Sequence, residues 1–187
     1  GGTAGTGGDD RGEWLGLTEA SRLLGVTLDT IDIGPAMKTF DGMLAPLFTG
    51  TSPDITEENL QSRARGLTLM ALSNKFGKMV LSTGNKSEMS TGYATLYGDM
   101  CGGFNALKDI YKTQVYALAR WRNRDGVIPE RIFTKAPTAE LKDNQTDQDT
   151  LPPYPVLDAI LEDLVEKDAS HDALRQSGRF LRQYLVR

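Results

Sequence analysis

A run of chemically reactive side chains follows a short apolar segment near the middle of the chain. Residues 78–81 are Lys-Met-Val-Leu and residues 82–88 are Ser-Thr-Gly-Asn-Lys-Ser-Glu. The apolar run is too short for a buried helix and predicts a buried strand of a parallel sheet. Ligands of open α/β sheets bind where the strands end, so the polar run predicts a nucleotide site. The alternative is an ordinary strand-to-helix loop in which Ser87 or Asn85 caps the next helix.

A second polar pair lies on a long predicted helix. Asp54 and Glu57 have the spacing of a capping box, and Gly77 supplies a stop. Asn59 and Arg63 are four residues apart, so their side chains lie one above the other near the amino end. An amide and a guanidinium there could hold a carboxylate or phosphate, although an exposed polar face has the same pattern. The residues expected to form the buried stripe of this helix are Leu60, Ala64, Leu67 and Ala71.

Length, composition and charge restrict the class of protein. With 187 residues, of which 39% are hydrophobic, the chain can form one domain with a substantial core. A net charge of -4 argues against a nucleic-acid partner, because phosphate contacts need clustered lysine and arginine. The single cysteine, Cys101, excludes an internal disulfide and fits a reducing cytoplasm. No apolar run approaches the roughly 20 residues of a membrane span, so no membrane partner is expected.

The order of the elements predicts an α/β domain that follows a glycine-rich start. Residues 1–17 are expected to be flexible, and residues 18–187 are expected to form the domain. Thr18 is a candidate cap of the first helix, and Val26–Ile33 alternates like a strand. A methionine and phenylalanine stripe over residues 36–48 predicts a helix of the kind that lies in a core or a dimer interface.

The second half of the chain predicts further helices and one short strand. Helical spacing covers residues 109–123, with Lys112 in the first turn. A lysine at that end is unfavourable for the helix dipole, which favours an anion-binding role. Residues 131–135 are expected to form a strand. The polar stretch up to Thr150 is expected to form a surface loop, which is either a mobile loop near a site or an ordinary surface loop. The only histidine, His171, is expected at the surface.

A set of motifs, in this order along the chain, carries a family resemblance. The motifs are Glu-Asn-Leu-Gln-Ser-Arg-Ala-Arg at residues 58–65, Leu-Ser-Thr-Gly-Asn-Lys-Ser-Glu at 81–88, Gly-Tyr-Ala-Thr-Leu-Tyr-Gly-Asp at 92–99, Lys-Thr-Gln at 112–114, Pro-Thr-Ala-Glu-Leu at 137–141 and Leu-Pro-Pro-Tyr at 151–154. Over about residues 18–165 the chain closely resembles the synthetase domain of NAD synthetase. The Gly-Asn-Lys-Ser-Glu version resembles the glutamine-dependent form.

The resemblance implies a fold and a reaction. The fold would be Rossmann-like α/β of the adenine nucleotide alpha-hydrolase type, a parallel sheet flanked by helices and incomplete at the N-terminus, in a homodimer or larger homo-oligomer. The reaction would use ATP and Mg²⁺ to adenylate the nicotinate carboxylate of deamido-NAD. Ammonia, released from glutamine by a separate amidase domain, would then displace AMP and leave NAD. A carboxylate needs this activation because its oxygen is otherwise a poor leaving group, and the triphosphate charge must be neutralised meanwhile.

The resemblance also implies roles for individual residues. The residues at ATP contacts are Thr83, Lys112 and Thr138. The residues at deamido-NAD contacts are Asn59, Arg63, Glu88, Tyr93 and Thr95. Glu88 matches a carboxylate that is a magnesium ligand in some members and a dinucleotide contact in others, so both roles remain open. No side chain is assigned to the chemical step itself.

Two parts of the family pattern do not occur in this sequence. The ATP pyrophosphate loop, Ser-Gly-Gly-x-Asp-Ser, is expected before residue 18, and residues 1–17 do not contain it. No Glu-Lys-Cys set of the amidase type can be assembled either. The sequence is therefore interpreted as a piece of a synthetase domain. The alternative is a non-catalytic remnant or assembly module of the same fold.

Overall fold

A computed structural model of the protein describes residues 10–141 and 145–185. The architecture is α/β, with a short pair of strands among helices. The helices are α1 Asp10–Leu24, α2 Gly34–Leu44, α3 Ile55–Phe76, α4 Lys86–Thr91, α5 Lys112–Arg122, α6 Glu130–Thr134, α7 Tyr154–Leu161 and α8 His171–Ser177. The strands are β1 Leu81–Ser82 and β2 Phe104–Asn105. Short helical turns cover Asn123–Asp125, Asp147–Asp149, Glu162–Glu166 and Arg182–Leu185.

The two strands are parallel, as the sequence predicted for the segment before the polar run. Leu81 pairs with Phe104 and Ser82 with Asn105, and α4 forms part of the crossover that a parallel pair requires. The strand is two residues long rather than the predicted 78–81, and Leu81 is 61% exposed. The prediction of a buried strand is therefore wrong, because within the described residues the sheet has only these two strands to cover one another.

The first helix begins earlier than its predicted cap at Thr18. Helix α1 starts at Asp10, so residues 10–17 are helical where a flexible segment was expected. Gly16 and Ala20 are buried, and a Cβ added at Gly16 would lie 3.8 Å from Ile132 of α6. Packing on α6 therefore outweighs the unfavourable glycine content of this segment. Residues 1–9 lie outside the described residues.

The predicted strand at Val26–Ile33 is not formed. Ile33 is buried, but Val26 and Ile31 are exposed, and none of residues 26–33 pairs with a strand in the described ranges. A strand needs a hydrogen-bonded neighbour, which alternation in the sequence cannot supply. The segment instead ends in a helix start, where the backbone N–H of Gly34 donates to the Asp32 carboxylate at 2.8 Å.

The methionine and phenylalanine stripe lies on α2, which starts at Gly34 and ends at Leu44. None of its residues is fully buried. Met43 is 65% exposed, and Leu47, just after the helix, is 78% exposed. The stripe is therefore not part of the core of this chain.

Helix α3 has the predicted ends but a different buried stripe. The capping box is confirmed, with Thr56 N donating to Asp54 at 2.7 Å and Asp54 N donating to Glu57 at 2.8 Å. Gly77 ends the helix in a left-handed conformation, with φ of 60°. Leu67 is exposed, which contradicts the predicted stripe of large side chains. The buried positions of α3 are the small residues Ser62, Ala64 and Gly66.

The small residues of α3 accommodate a tight turn that follows α4. A Cβ added at Gly66 would lie 2.7 Å from the carbonyl oxygen of Gly98. Ser62 Oγ accepts a hydrogen bond from Asp99 N at 3.1 Å. The turn backbone therefore occupies the space that larger side chains would need, which explains why the helical stripe did not predict burial.

The predicted strand at residues 131–135 is also wrong, because Glu130–Thr134 forms α6. Phe133 is buried, and the Arg120 guanidinium of α5 lies 4.7 Å from the centre of its ring. Packing of one ring against α5 favours a helical turn over an extended segment here. As expected, His171 is exposed, at the start of α8.

The core is built mainly around α7. One buried cluster joins this helix to the start of α5, and a second joins it to α8. The members of the first are Tyr111, Leu151, Tyr154, Leu157 and Leu161, and the buried members of the second are Ile160 and Leu174. Among the described helices, none has the length and apolar character that crossing a membrane requires.

The close approach of α3 and the turn at Gly98 predicts an effect of Gly66→Ala. The added methyl would push against a backbone carbonyl, so we expect the free energy of unfolding to fall by about 1–3 kcal/mol. The matched control is Gly42→Ala in α2, where a Cβ meets nothing within 4 Å and helix propensity should raise stability by up to about 1 kcal/mol. Urea unfolding measures both. Equal stabilisation by both substitutions would contradict the packing described.

Candidate functional site

The polar run after β1 forms the start of α4, and a capping box fixes its first turn. Asn85 is the N-cap, and its side chain accepts from Glu88 N at 3.0 Å. Glu88 Oε2 in turn accepts from Asn85 N at 3.1 Å. The helix-cap interpretation is therefore confirmed for Asn85. The same box orients Glu88, whose second oxygen remains available for another partner.

That second oxygen of Glu88 forms an ion pair with Lys112, at the start of α5. Lys112 Nζ lies 2.9 Å from Glu88 Oε1, and the two side chains are 20% and 19% exposed. The pair therefore lies largely out of solvent, where a charge–charge contact is stronger than on an open surface. The ammonium also lies 5.3 Å from the centre of the Tyr154 ring. The lysine predicted in the first turn of this helix is thus held by a carboxylate and an aromatic face.

A cavity of about 410 Å³ opens beside this ion pair. Ser82 and Asn105, the last residues of the two parallel strands, contribute to its wall. The cavity therefore lies at the carboxyl ends of the strands, where the sequence placed the nucleotide site. Four of the residues singled out from the sequence line it, namely Thr83, Glu88, Tyr93 and Lys112.

Thr138 lies next to this cavity and shares Lys112 with it. A recess of about 220 Å³ is lined by residues of α1, α5, α6 and the segment after α6, and these include Lys112, Tyr116 and Thr138. Thr138 Oγ1 accepts from Glu140 N at 3.1 Å. The three residues predicted at ATP contacts therefore lie around adjoining spaces, with Lys112 between Thr83 and Thr138.

Asn59, Arg63 and Thr95 meet on one side of the turn that follows α4. Thr95 Oγ1 donates to Asn59 Oδ1 at 3.0 Å, and Arg63 Nε donates to the carbonyl oxygen of Leu96 at 3.2 Å. Thr95 is buried, and its backbone N–H donates to Asp99 at 2.7 Å. The predicted shared face of α3 is confirmed. These three residues bind the segment that carries the cavity wall rather than lining the cavity themselves.

Tyr93 faces the cavity, but its hydroxyl group lies inside the protein. That hydroxyl is buried and has no hydrogen-bond partner within hydrogen-bonding geometry among the described residues. Burial, and next the charge of Asp147, raises the pKa of Tyr93 well above its usual range. The ring of Tyr93, rather than its hydroxyl, is therefore the part available to a ligand.

A buried aspartate that sequence reasoning missed supports the aromatic side of the site. Tyr154 OH donates to Asp147 Oδ2 at 2.6 Å, and both residues are buried. Burial, and next this hydrogen bond, raises the pKa of Tyr154 strongly. The stretch containing Asp147 was expected to be a surface loop, so the prediction is wrong at this position. The nearby Leu-Pro-Pro-Tyr motif was the only signal that the segment packs inward.

Asp158 also escaped the sequence prediction, and Ser87, named there as a possible helix cap, instead lies inside α4. Ser87 is fully buried, and its hydroxyl donates to Asp158 Oδ1 at 2.5 Å. Lys112 N donates to the same hydroxyl at 2.8 Å, and Thr113 N donates to Asp158 Oδ2 at 2.8 Å. An acidic residue inside the apolar stripe of α7 was the signal that could have identified Asp158.

The wall of the cavity contains two carboxylates, a ligand type that Mg²⁺ uses. Glu88 and Asp99 both line the cavity. Within the described residues no three His, Cys, Asp or Glu side chains cluster to form a complete metal site. Mg²⁺ at nucleotide sites commonly uses one or two carboxylates, with substrate phosphates and water as the remaining ligands. The donor set therefore fits Mg²⁺ that arrives with a nucleotide.

A second, larger cavity of about 810 Å³ adjoins the first. Apolar residues of α3 and β1 form much of its wall, and Ser82, Thr83 and Asp99 belong to both cavities. Arg65 also lines it, and burial lowers the pKa of this guanidinium. The site therefore offers a polar compartment beside a more apolar one, which suits a ligand with charged groups and flat rings.

These features define an α/β protein with parallel strands, a polar strand-to-helix loop, and a cation and a carboxylate at the strand ends. The comparisons give the family within this class. The chain belongs to the NAD synthase family, whose model matches residues 17–185. The fold is of the adenine nucleotide alpha-hydrolase type found in solved NAD synthetases.

Proteins of high sequence identity to this chain are longer than it is. The chain is 60% identical over 163 residues to the glutamine-dependent NAD(+) synthetase of Xanthomonas campestris pv. campestris (strain 8004), covering 86% of this chain and 30% of the relative. It is 54% identical over 170 residues to that of Rhodobacter capsulatus, covering 86% and 31%. The chain thus spans about 30% of the length of these relatives.

Two solved structures illustrate the likeness of fold. The glutamine-dependent NAD+ synthetase from Acinetobacter baumannii, in complex with ADP, is 46% identical with a TM-score of 0.64, over 92% of this chain and 30% of that one. The NMN synthetase from Francisella tularensis is 28% identical with a TM-score of 0.73, over 89% of this chain and 66% of that one.

The buried tyrosines predict how stability depends on alkaline pH. Tyr154 has a raised pKa in the folded state, so its contribution is fully present below the unfolded pKa of about 10 and is lost as pH rises beyond it. Each such tyrosine should steepen the fall in the free energy of unfolding by about 1.4 kcal/mol per pH unit. Tyr154→Phe should remove that share of the slope, measured by urea unfolding between about pH 9 and pH 11. Phe at the exposed Tyr97 is the control, and equal slopes in both variants would contradict the burial of Tyr154.

Proposed function

We propose that this chain forms the synthetase site of an enzyme that converts deamido-NAD to NAD. In the proposed reaction ATP adenylates the nicotinate carboxylate with release of pyrophosphate, and ammonia then displaces AMP. The observation that carries the proposal is the Lys112–Glu88 ion pair in the cavity at the strand ends. Support comes from the glutamine-dependent NAD(+) synthetases at 54–60% identity. The described part of the chain offers nothing in favour of the non-catalytic alternative.

ATP is proposed to bind across the two spaces that meet at Lys112. Thr83 and Thr138 would offer hydroxyls from opposite sides, and the ammonium would neutralise phosphate charge between them. The ADP complex of the Acinetobacter baumannii relative supports a nucleotide in this family. Because Lys112 is already partnered by Glu88, phosphate oxygens would compete with that carboxylate for the ammonium.

Glu88 is proposed to hold Mg²⁺ once the nucleotide binds. One Glu88 oxygen pairs with the Lys112 ammonium, and the phosphates of ATP would attract that ammonium away from the carboxylate. Asp99 lines the same cavity. When bound, Mg²⁺ would supply charge neutralisation at the phosphates and ease departure of pyrophosphate. Glu88 would thus pair with Lys112 in the absence of nucleotide and with the metal in its presence. A contact to the dinucleotide, the other role that the resemblance implies for Glu88, is the alternative.

Deamido-NAD is proposed to lie along the turn that α3 supports. Arg63 is exposed, and its guanidinium could pair with a carboxylate or phosphate in addition to its bond to Leu96. Asn59 and Thr95 fix each other and thereby the shape of the turn. The Tyr93 ring would contribute an apolar face. The reacting carboxylate would then approach the ATP phosphates near Lys112, with orientation as the main contribution of the chain.

Ammonia is proposed to come from glutamine, as the names of the relatives imply. The neutral molecule would attack the adenylated carboxyl carbon, pass a proton to solvent and expel AMP. The NMN synthetase likeness favours one alternative substrate, the corresponding mononucleotide. We further propose a cytoplasmic location, which fits the single cysteine.

A homo-oligomer is proposed from the exposed apolar face near α2. Met43 and Leu47 expose most of their surface, and Phe40 lies on the same stripe. Exposed apolar side chains in a group are commonly covered by a partner, and a second copy brings the same patch. The homodimer predicted from the sequence would therefore bury this face.

Ligand titration tests the proposed reaction. We expect the chain to bind ATP with Mg²⁺ and to bind deamido-NAD in calorimetric titrations, with the mononucleotide as a weaker comparison ligand. Lys112→Ala should weaken ATP binding at least about tenfold, because a charge-assisted contact contributes roughly 1.5–3 kcal/mol. Lys38→Ala, an exposed lysine of α2, is the matched control. Absence of both binding events in a folded chain would overturn the proposal.

Mass measurement in solution tests the oligomer. We expect wild-type protein to be a dimer or larger by light scattering, and Met43→Glu to shift it towards the monomer because a charge would be buried at the interface. Lys38→Glu places a charge on the same helix outside the stripe and should leave the mass unchanged. A monomeric wild type, or loss of the dimer in both variants, would contradict burial of this face.

A further inference from the structure

The amino end of α5 takes its backbone hydrogen-bond acceptors from two other helices. The first N–H groups of any helix lack partners within that helix. In α5 the N–H of Lys112 donates to Ser87 Oγ of α4, and the N–H of Thr113 donates to Asp158 Oδ2 of α7, both at 2.8 Å. The start of this helix is therefore fixed by side chains that are distant in sequence.

The hydroxyl of Ser87 is the centre of this arrangement. It accepts from Lys112 N and donates to Asp158 Oδ1 at 2.5 Å, so it is used in both directions. Ser87 has no exposed surface, and Asp158 is also buried. A buried carboxylate is costly unless its oxygens are hydrogen-bonded, and the positive end of a helix stabilises it further. The hydrogen bonds to Ser87 and Thr113 therefore satisfy both oxygens of this buried carboxylate.

The same contact brings the two charged residues of the site together. Ser87 directly precedes Glu88 on α4, and the N–H that it accepts belongs to Lys112 itself. Fixing Ser87 against this N–H sets the distance between the backbones that carry the ion pair. We propose that Ser87 and Asp158 are positioning residues that hold Lys112 against Glu88 at the nucleotide cavity. The final step, from ion pair to nucleotide, rests on the proposed function.

Helix α7 contributes a second constraint on the same lysine. Tyr154 and Asp158 are four residues apart, so they lie on one face of α7. Tyr154 places its ring beside the Lys112 ammonium, while Asp158 holds the backbone N–H of Thr113. Helix α7 therefore contacts the Lys112 ammonium and the backbone N–H of the residue that follows Lys112. Ordering a long side chain costs conformational entropy, and these contacts offset that cost before a ligand binds.

The reactivity of Lys112 towards an acylating reagent tests the proposal in the full chain. Peptide mass spectrometry after brief treatment with an acetyl ester gives the rate for each lysine. In Ser87→Ala we expect Lys112 to react about fivefold faster, the factor for an ion pair of about 1 kcal/mol. Ser90→Ala removes an exposed hydroxyl from the same helix and should leave the rate unchanged.

A reference lysine separates positioning from general loosening of the fold. Lys135 lines the same recess as Lys112, but it pairs with Glu140 at 2.9 Å, a contact in which neither Ser87 nor Asp158 takes part. A merely structural role of Ser87 would raise the rates of Lys112 and Lys135 together, whereas positioning raises the first alone. Asp158→Asn is the second variant, because its amide oxygen can still accept from Thr113 N while its amide nitrogen cannot accept the hydrogen bond that Ser87 donates. Unchanged Lys112 rates in both folded variants, or parallel rises at Lys135, would overturn the proposal.

Nucleotide protection distinguishes this proposal from the function on which it rests. ATP with Mg²⁺ should slow acylation of Lys112 in wild type and protect it less in Ser87→Ala. If nucleotide gives no protection in wild type, the proposed function fails for this chain. The comparison of rates without nucleotide still decides whether Ser87 and Asp158 position the lysine.

Discussion

The buried carboxylate of Asp158 and the uncapped start of α5 satisfy each other, and the rest of the site depends on this interaction. Neither group could be buried alone at an acceptable cost, because a lone carboxylate and free N–H groups both lose hydration. Together with Ser87 they allow α4, α5 and α7 to meet, and these three helices pack against one another. Apolar residues then close around the contact, including Leu157 and Leu161. The hydrogen bonds of these buried polar groups therefore determine how α4, α5 and α7 pack, and the apolar core reinforces that packing.

The ion pair beside this contact is arranged for exchange rather than for stability. Lys112 and Glu88 keep 20% and 19% of their side-chain exposure at the wall of the cavity, so a stronger anion can reach the ammonium and displace the carboxylate. A triphosphate brings several charges and, in the proposed reaction, a cation that suits Glu88. Because the backbones of both residues are fixed by Ser87, partners can exchange without movement of the helices. The chain thus combines a rigid frame with side chains whose contacts change on binding.

Sequence reasoning succeeded for local features that depend only on neighbouring residues along the chain. The capping box of Asp54, the cap at Asn85 and the lysine at the start of α5 are local patterns, and all are confirmed. Sequence reasoning failed where contacts with residues distant in sequence determine the structure. The strand expected at Val26–Ile33 lacks a paired neighbour among the described residues, and Asp158 is buried only because α5 reaches it. Aspartate is ordinarily exposed, so no single-residue rule identifies such a position.

The long helix α3 links the two ligand sites that the family resemblance separates. Arg63 holds the turn proposed for deamido-NAD, and Arg65 Nη2 donates to the carbonyl oxygen of Glu140 at 2.8 Å. Glu140 has a φ of 54°, a costly conformation for a residue with a side chain, and it lies two residues after Thr138. The hydrogen bond from Arg65 helps to maintain that conformation and so keeps Thr138 facing Lys112. Because one rigid helix fixes both segments, the distance between the proposed dinucleotide and ATP sites is set by the spacing of residues along α3, which favours direct reaction between the two bound substrates.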